Sequence, residues 1–201
     1  MSSPSSPTVD SIEAIVESLL TAIEARDAEL RAHSERVARY AGKVAQALEI
    51  SAVDQEQLRL GALLHDIGNI GIPDSILLKP SGLSSWEIDE MKLHSIIGES
   101  ICRPIPSLAP ALPLIRSHHE KIDGSGYPDA LAGDQIVAVV RILSVTDVYD
   151  TLRCERAYRA AFSHEEAIEI LRAEAERGWW DAAVVTQLAK LTAPQSDFIS
   201  V

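Results

Sequence analysis

An all-α fold, one bundle of about seven helices, is what this sequence predicts, and three observations predict it. Aromatic residues make up only 4% of the 201 residues, while Ala, Leu, Ile and Glu are plentiful. That composition packs helices through aliphatic ridges better than it fills a sandwich of aromatic-rich strands. Apolar positions recur at helical spacing through most of the chain. Twice a serine stands three residues ahead of a glutamate before an apolar run, at Ser84 and Glu87 and again at Ser163 and Glu166, the pattern of a helix capping box.

Taken in order, residues 1–9 read as a frayed tail: Met1 to Pro7 is rich in Ser and Pro and lacks the basic start and apolar stretch of a signal peptide. Ile12, Ile15, Val16, Leu19, Leu20 and Ile23 form a stripe that predicts a packing helix over 10–26. Leu30, Val37, Ala38, Ala41, Val44 and Leu48 continue the period from Asp27 to about Ile50, and a third helix runs from about Asp54 to Asp66, stopped by Gly68. Three glycines and two prolines between Gly68 and Leu83 enclose Ile76 to Leu78 and predict an ordered connection. The helix opened at Ser84 carries His94 and ends by Pro104 and Pro106. A further helix leads through Leu114 and Ile115 to His118, and His119 to Pro128 is a glycine-rich loop. Residues 136–153 read as a strongly apolar helix, although their Val and Ile content also fits a strand. The second capping box starts a helix through Arg172, and a last one covers about Asp181 to Leu191. With 46% apolar content and no internal repeat, one core and one domain over 10–192 are expected, with a second tail at 193–201.

A net charge of −12 argues against duplex nucleic acid or an anionic membrane as partner, because both recruit clustered Lys and Arg. No run approaches the roughly 18 apolar residues that span a bilayer. Cys102 and Cys154 stand far apart in no metal-type spacing and read as two buried thiols of a cytoplasmic protein.

Histidine usage carries the functional signal. His65, His94, His118 and His119 lie beside expected helix ends, while Glu29 and His33, four residues apart, share a helix face. Asp66 follows His65 where a helix is ending, so both side chains can reach one centre. Imidazoles and carboxylates together suit first-row divalent ions, and a carboxylate can bridge two of them. A single histidine on a helix is more often a hydrogen-bonded or surface residue than a ligand; the weight comes from their number.

In sequence order stand His33-Ser34-Glu35-Arg36-Val37, His65-Asp66-Ile67-Gly68, Gly71-Ile72-Pro73-Asp74, His94, His118-His119-Glu120, Asp123-Gly124-Ser125-Gly126-Tyr127-Pro128 and Asp147-Val148-Tyr149-Asp150. These resemble the successive motifs of HD-GYP domains across about residues 10 to 190. The resemblance implies an HD-type helical bundle that hydrolyses cyclic di-GMP to the linear dinucleotide, GMP or both. It implies metal ligands at His33, His65, Asp66, His94, His118, His119 and Asp147, with Glu29 where some members place an extra ligand. Two or three ions follow, iron or manganese by analogy, with zinc allowed by the ligand set. Catalytic positions fall on His65, Asp66, Asn69 and Asp150, and substrate contacts on Asn69, Tyr127, Asp150, Arg156 and Arg159. The Gly124 to Pro128 loop is implied to lie by the site and to offer a protein contact, and the first helix is a candidate for homodimer formation.

Three departures stand out. Asn69 occupies the family's lysine position, keeping hydrogen bonding but losing a charge near the phosphate, which predicts slower turnover more than weaker metal binding. Ala157 replaces a proline, and Gly178-Trp179-Trp180-Asp181 replaces the usual Phe-Asp-Pro, with Trp180 in the aromatic position. Asn69 also keeps a second reading alive, a cyclic di-GMP receptor or adaptor that binds without hydrolysing. Signalling members of the family carry receiver or sensor domains, and 201 residues leave room for neither.

Overall fold

The computed structural model describes residues 9–155 and 160–193. Nine α-helices stand among them: α1 (Val9–Glu24), α2 (Ala28–Ala47), α3 (Ala52–Leu64), α4 (Asp74–Leu77), α5 (Ser85–Cys102), α6 (Leu112–Ser117), α7 (Ala138–Arg153), α8 (His164–Glu176) and α9 (Ala182–Thr192). Every expected helix is present, and the one added, α4, comes from a segment too short to show a helical period. The connection after Gly68 folds into a 3₁₀ turn at Ile67–Gly71 followed by the single turn of α4, and α6 is preceded by another 3₁₀ turn at Pro106–Ala111. No strand forms among the described residues, and the ambiguous segment before Arg153 is the helix α7.

Caps fix the boundaries. Asp27 accepts a hydrogen bond from the Glu29 amide at 2.9 Å and starts α2, and Ser51 does the same for α3 through Asp54. At Ser163 both halves of the expected box are made: the Glu166 carboxylate accepts the Ser163 amide and the Ser163 hydroxyl accepts the Glu166 amide. Glu87 likewise accepts the Ser84 amide and also holds Lys79.

The apolar side chains fall into two groups. Val37, Ala41 and Val44 of α2, Leu143 and Val145 of α7, Leu171 of α8 and Leu188 of α9 build the larger one. Val16, Leu20 and Ile23 of α1 pack with Leu60, Leu64, Cys102 and Ile115 in the smaller. Helix α7 is buried on nearly all sides, which accounts for its lack of alternating polarity. Between the two groups the ends of α3 and α6 meet the middles of α2, α5 and α7.

One close approach sets that meeting. A Cβ on Gly68 would lie 1.8 Å from the His94 carbonyl oxygen and 2.5 Å from the Gly98 amide, so only glycine lets the turn after α3 seat against α5. Arg26, at the end of α1, donates to the Ile70 and Ile72 carbonyls and pairs with Asp74 at 2.6 Å, fastening the same turn from the other side. No helix of the described residues is long and apolar enough to cross a membrane.

Candidate metal centre

Five segments deliver the polar side chains. α2 brings His33, the end of α3 brings His65 and Asp66, α5 brings His94, the end of α6 brings His118 and His119, and α7 brings Asp147 and Asp150. Helix α3 stops at Leu64 and the chain tightens into the 3₁₀ turn, which lets two adjacent residues face one centre.

Three histidines share a device. His65, His94 and His118 each direct Nδ1 at the carbonyl three residues earlier, of Ala62, Met91 and Ile115, at 2.8, 2.7 and 2.9 Å. That contact needs the proton on Nδ1, so each Nε2 carries a lone pair into the centre. His33 differs: its Nδ1 meets the Asp150 carboxylate at 2.7 Å, and its Nε2 lies 3.1 Å from Asp147 Oδ1.

The donors form two sets with Asp66 between them. Oδ2 of Asp66 faces His65 Nε2 at 3.6 Å and His33 Nε2 at 3.9 Å, while Oδ1 faces His94 Nε2 at 3.5 Å. His33, His65 and Asp66 make one compact donor group, and His94, His118 and His119 make the other. Donors sharing an ion at bonds near 2.1 Å stand about 3 to 3.5 Å apart, and the Asp66 contacts at 3.5 to 3.9 Å lie at or just beyond that spacing.

These residues fit divalent cations. His65 Nε2 is fully buried with no hydrogen-bond partner among the described residues, a costly state for a polar atom. His94 and His118 present Nε2 to each other at 3.2 Å although both rings hold their proton on Nδ1, so two lone pairs confront one another. A positive ion in each set would resolve the problem found there.

The electrostatics of the two sets differ. Burial opposes a charge on His33, but hydrogen bonds to Asp147 and Asp150 outweigh it and push the ring up to about 10. Asp147 is held well below the usual carboxylate range: burial alone would raise it, and the hydrogen bond from His33 together with the nearby His65 ring overcomes that. In the other set burial pulls His119 down to about 4 and His118 well below the ordinary imidazole value, with neighbouring imidazoles adding to the effect at His118. Those two rings are uncharged at neutral pH, each keeping one N–H.

The set opens into a cavity of about 350 Å³. Asn69 is buried in its wall, and Tyr127 covers one side with its ring stacked on His119, centroids 4.7 Å apart at 27°. Burial raises the Tyr127 hydroxyl above its usual range, so it stays protonated. The loop bearing Tyr127 is fixed from below by Glu120, whose carboxylate accepts the Asp129 and Leu131 amides at 2.7 and 3.0 Å. Gly124 sits at φ +81°, and a Cβ on Gly126 would lie 2.4 Å from the Lys121 amide. Lys121 in turn places Nζ 3.1 Å over the Trp179 ring, and Ile122 donates to the Trp179 carbonyl, so the Gly178 to Asp181 segment buttresses this loop. Trp180 is buried, as the aromatic position requires.

Not every expected residue joins the cluster. Glu29 lies at the cavity wall, but its carboxylate pairs with Arg36 at 2.7 Å and is mostly exposed. Asp150 is buried behind His33, where it also accepts from Arg36. Arg156, Arg159 and the Ala157 departure lie outside the described residues. Cys102 is buried as expected, but Cys154 is not: at the end of α7 it is half-buried and lines the cavity beside Arg36. The roles of Arg36 and Glu120 were not drawn from the sequence. Arg36 stands three residues after His33 on the same helix face, and that spacing was the available signal.

The HD domain family matches residues 17–184, so the chain belongs to that family. It is 41% identical over 162 residues to the cyclic di-GMP phosphodiesterase response regulator RpfG of Xanthomonas campestris, covering 79% of this chain and 43% of that one. It is 38% identical over 160 residues to 3'3'-cGAMP-specific phosphodiesterase 3 of Vibrio cholerae, covering 80% and 35%. The chain thus spans under half the length of these relatives. Among solved structures, Bd1817, an HDG"Y"P protein from Bdellovibrio bacteriovorus, superposes with a TM-score of 0.69 at 20% identity over 92% of this chain and 64% of that one, a likeness of fold.

Proposed function

We propose that this chain is an HD-GYP-type phosphodiesterase that opens cyclic di-GMP with two divalent ions, iron or manganese, at His33, His65, Asp66, His94, His118, His119 and Asp147. The observation that carries the reading is the position of Asp66, one oxygen toward each donor set, with a Tyr-bearing loop at the rim of the same cavity. Relatives named as cyclic di-GMP and 3'3'-cGAMP phosphodiesterases support the substrate class.

Bound ions would supply Lewis acidity, offsetting charge on the phosphate oxygens and making a water more acidic. The chain's own residues do the rest. The Nδ1 contacts of His65, His94 and His118 fix which ring nitrogen is offered and hold each ring against rotation. Asp66 and Asp147 supply the negative charge that lets an ion settle beside buried imidazoles. Tyr127 presents an aromatic face for a guanine and, with its hydroxyl protonated, a donor. Asn69 offers a neutral hydrogen-bonding group to the phosphate. Asp150 acts on His33 and not as a direct substrate contact, while Arg156 and Arg159 supply phosphate contacts. The Gly124 to Pro128 loop is a surface for a protein partner.

The test is product formation from cyclic di-GMP, with 3'3'-cGAMP alongside, by manganese- or iron-loaded protein. Turnover well above a His65→Ala control supports the enzyme, and equal rates reject it. Asn69 favours one other reading, a receptor that binds the dinucleotide without cleaving it. Calorimetric binding with no product would establish that instead.

A further inference from the structure

Arg36 has no part in the reading above, yet it makes one of the densest sets of polar contacts near the cavity. Its Nε lies 2.9 Å from Asp150 Oδ1 and its Nη2 lies 3.0 Å from Asp150 Oδ2, a two-pronged grip on one carboxylate. The same Nη2 reaches Glu29 at 2.7 Å and Cys154 Sγ at 3.1 Å. Asp150 Oδ2 in turn accepts from His33 Nδ1 at 2.7 Å, and His33 Nε2 points at the donor set of Asp66 and Asp147. The chain from surface to centre therefore runs Glu29, Arg36, Asp150, His33.

We propose that Arg36 is a positioning residue for the His33 half of the metal centre: by clamping Asp150 it fixes the orientation and the ligand nitrogen of His33. His33 alone among His33, His65, His94 and His118 lacks a backbone carbonyl for Nδ1, so its orientation depends on a side chain that could rotate. Asp150 is 1% exposed, and a carboxylate buried that deeply keeps its charge and its rotamer only with a partner. The guanidinium fork matches both carboxylate oxygens, which an ammonium cannot do. In the other half backbone carbonyls orient His94 and His118, and among the described residues no guanidinium clamps a carboxylate behind them. Loss of Arg36 should therefore be felt on one side of Asp66 only. The inference rests on the two-ion reading, but its readout is ion binding and not hydrolysis.

The experiment is manganese titration of the full chain, wild type against Arg36→Met, Arg36→Lys and Asp150→Asn, with thermal melting of each. Wild type should take up two ions. Arg36→Met should weaken one of the two by about ten- to a hundredfold, the scale of losing an outer-shell partner, and leave the other within about threefold. Arg36→Lys should recover part of the loss because it keeps the charge without the fork. Should Arg36→Met fail to fold, Asp150→Asn must show the same one-sided weakening. A folded Arg36→Met that binds both ions like wild type overturns the proposal, as does equal weakening of both, which a general loss of structure would give. Wild type that takes up no divalent ion would sink the metal reading itself, a separate outcome from either.

Discussion

The two halves of the centre use the same ring chemistry to opposite electrostatic ends. Around His33 and His65 stand Asp66, Asp147 and Asp150, and the carboxylates hold a proton on His33 to about pH 10. Around His94, His118 and His119 the neighbours are mostly other rings, and burial has already left His118 and His119 uncharged. A ligand set can thus be prepared for a cation by surplus negative charge or by desolvated neutral lone pairs. The first kind must release a proton when an ion enters; the second need not.

The comparison can be broken most severely at the residue joining the halves. Asp66→Ala removes the oxygens facing both sets, and we expect hydrolysis to fall roughly a thousandfold or more, with at least one ion lost from the titration. Loss of activity with both ions retained would show the halves to be independent. Asn69→Lys adds a cation at the cavity wall without touching either half, so turnover should rise about ten- to a thousandfold while ion affinity stays put; steady-state rates on the loaded protein decide it. Gly68→Ala forces a methyl into the His94 carbonyl, which should cost about 3 kcal/mol and lower the melting temperature even without metal.

The subtlest prediction sharpens the contrast itself. Ion affinity of the His33 half should climb with pH up to about pH 10, because binding must expel the His33 proton, whereas His119 has no such proton to release above about pH 4. Titrations at pH 6, 7 and 8 suffice. The sign reverses for the metal-free fold: His33 is raised above its ordinary 6.5, so its contribution to stability is complete below that value and fades as pH climbs toward about 10. His33→Gln should remove that part of the decline in melting temperature.

Much of this was legible in the residues, for identifiable reasons. Long periodic segments such as 10–26 and 27–50 announced their helices, and the Ser163 box marked the start of α8 because its hydrogen bonds are local. The proposed metal-ligand set comes from motifs that stand in the same order as in a known family, and the fold brings those side chains together. Short elements could not: α4 is one turn long and has no period to detect. Nor could long-range polar contacts. Arg36 and Asp150 are 114 residues apart, and nothing in either neighbourhood says that one will clamp the other. Cys154 looked like a core thiol because its facing residues, Arg36 and Glu29, come from the far end of the chain.

Anomalous diffraction from manganese-loaded crystals tests the central claim most directly. Two peaks roughly 3.5 to 4 Å apart should flank Asp66, one within bonding distance of His33 and His65 and the other of His94, His118 and His119. A single peak away from Asp66, or none among these side chains after loading, would contradict the account.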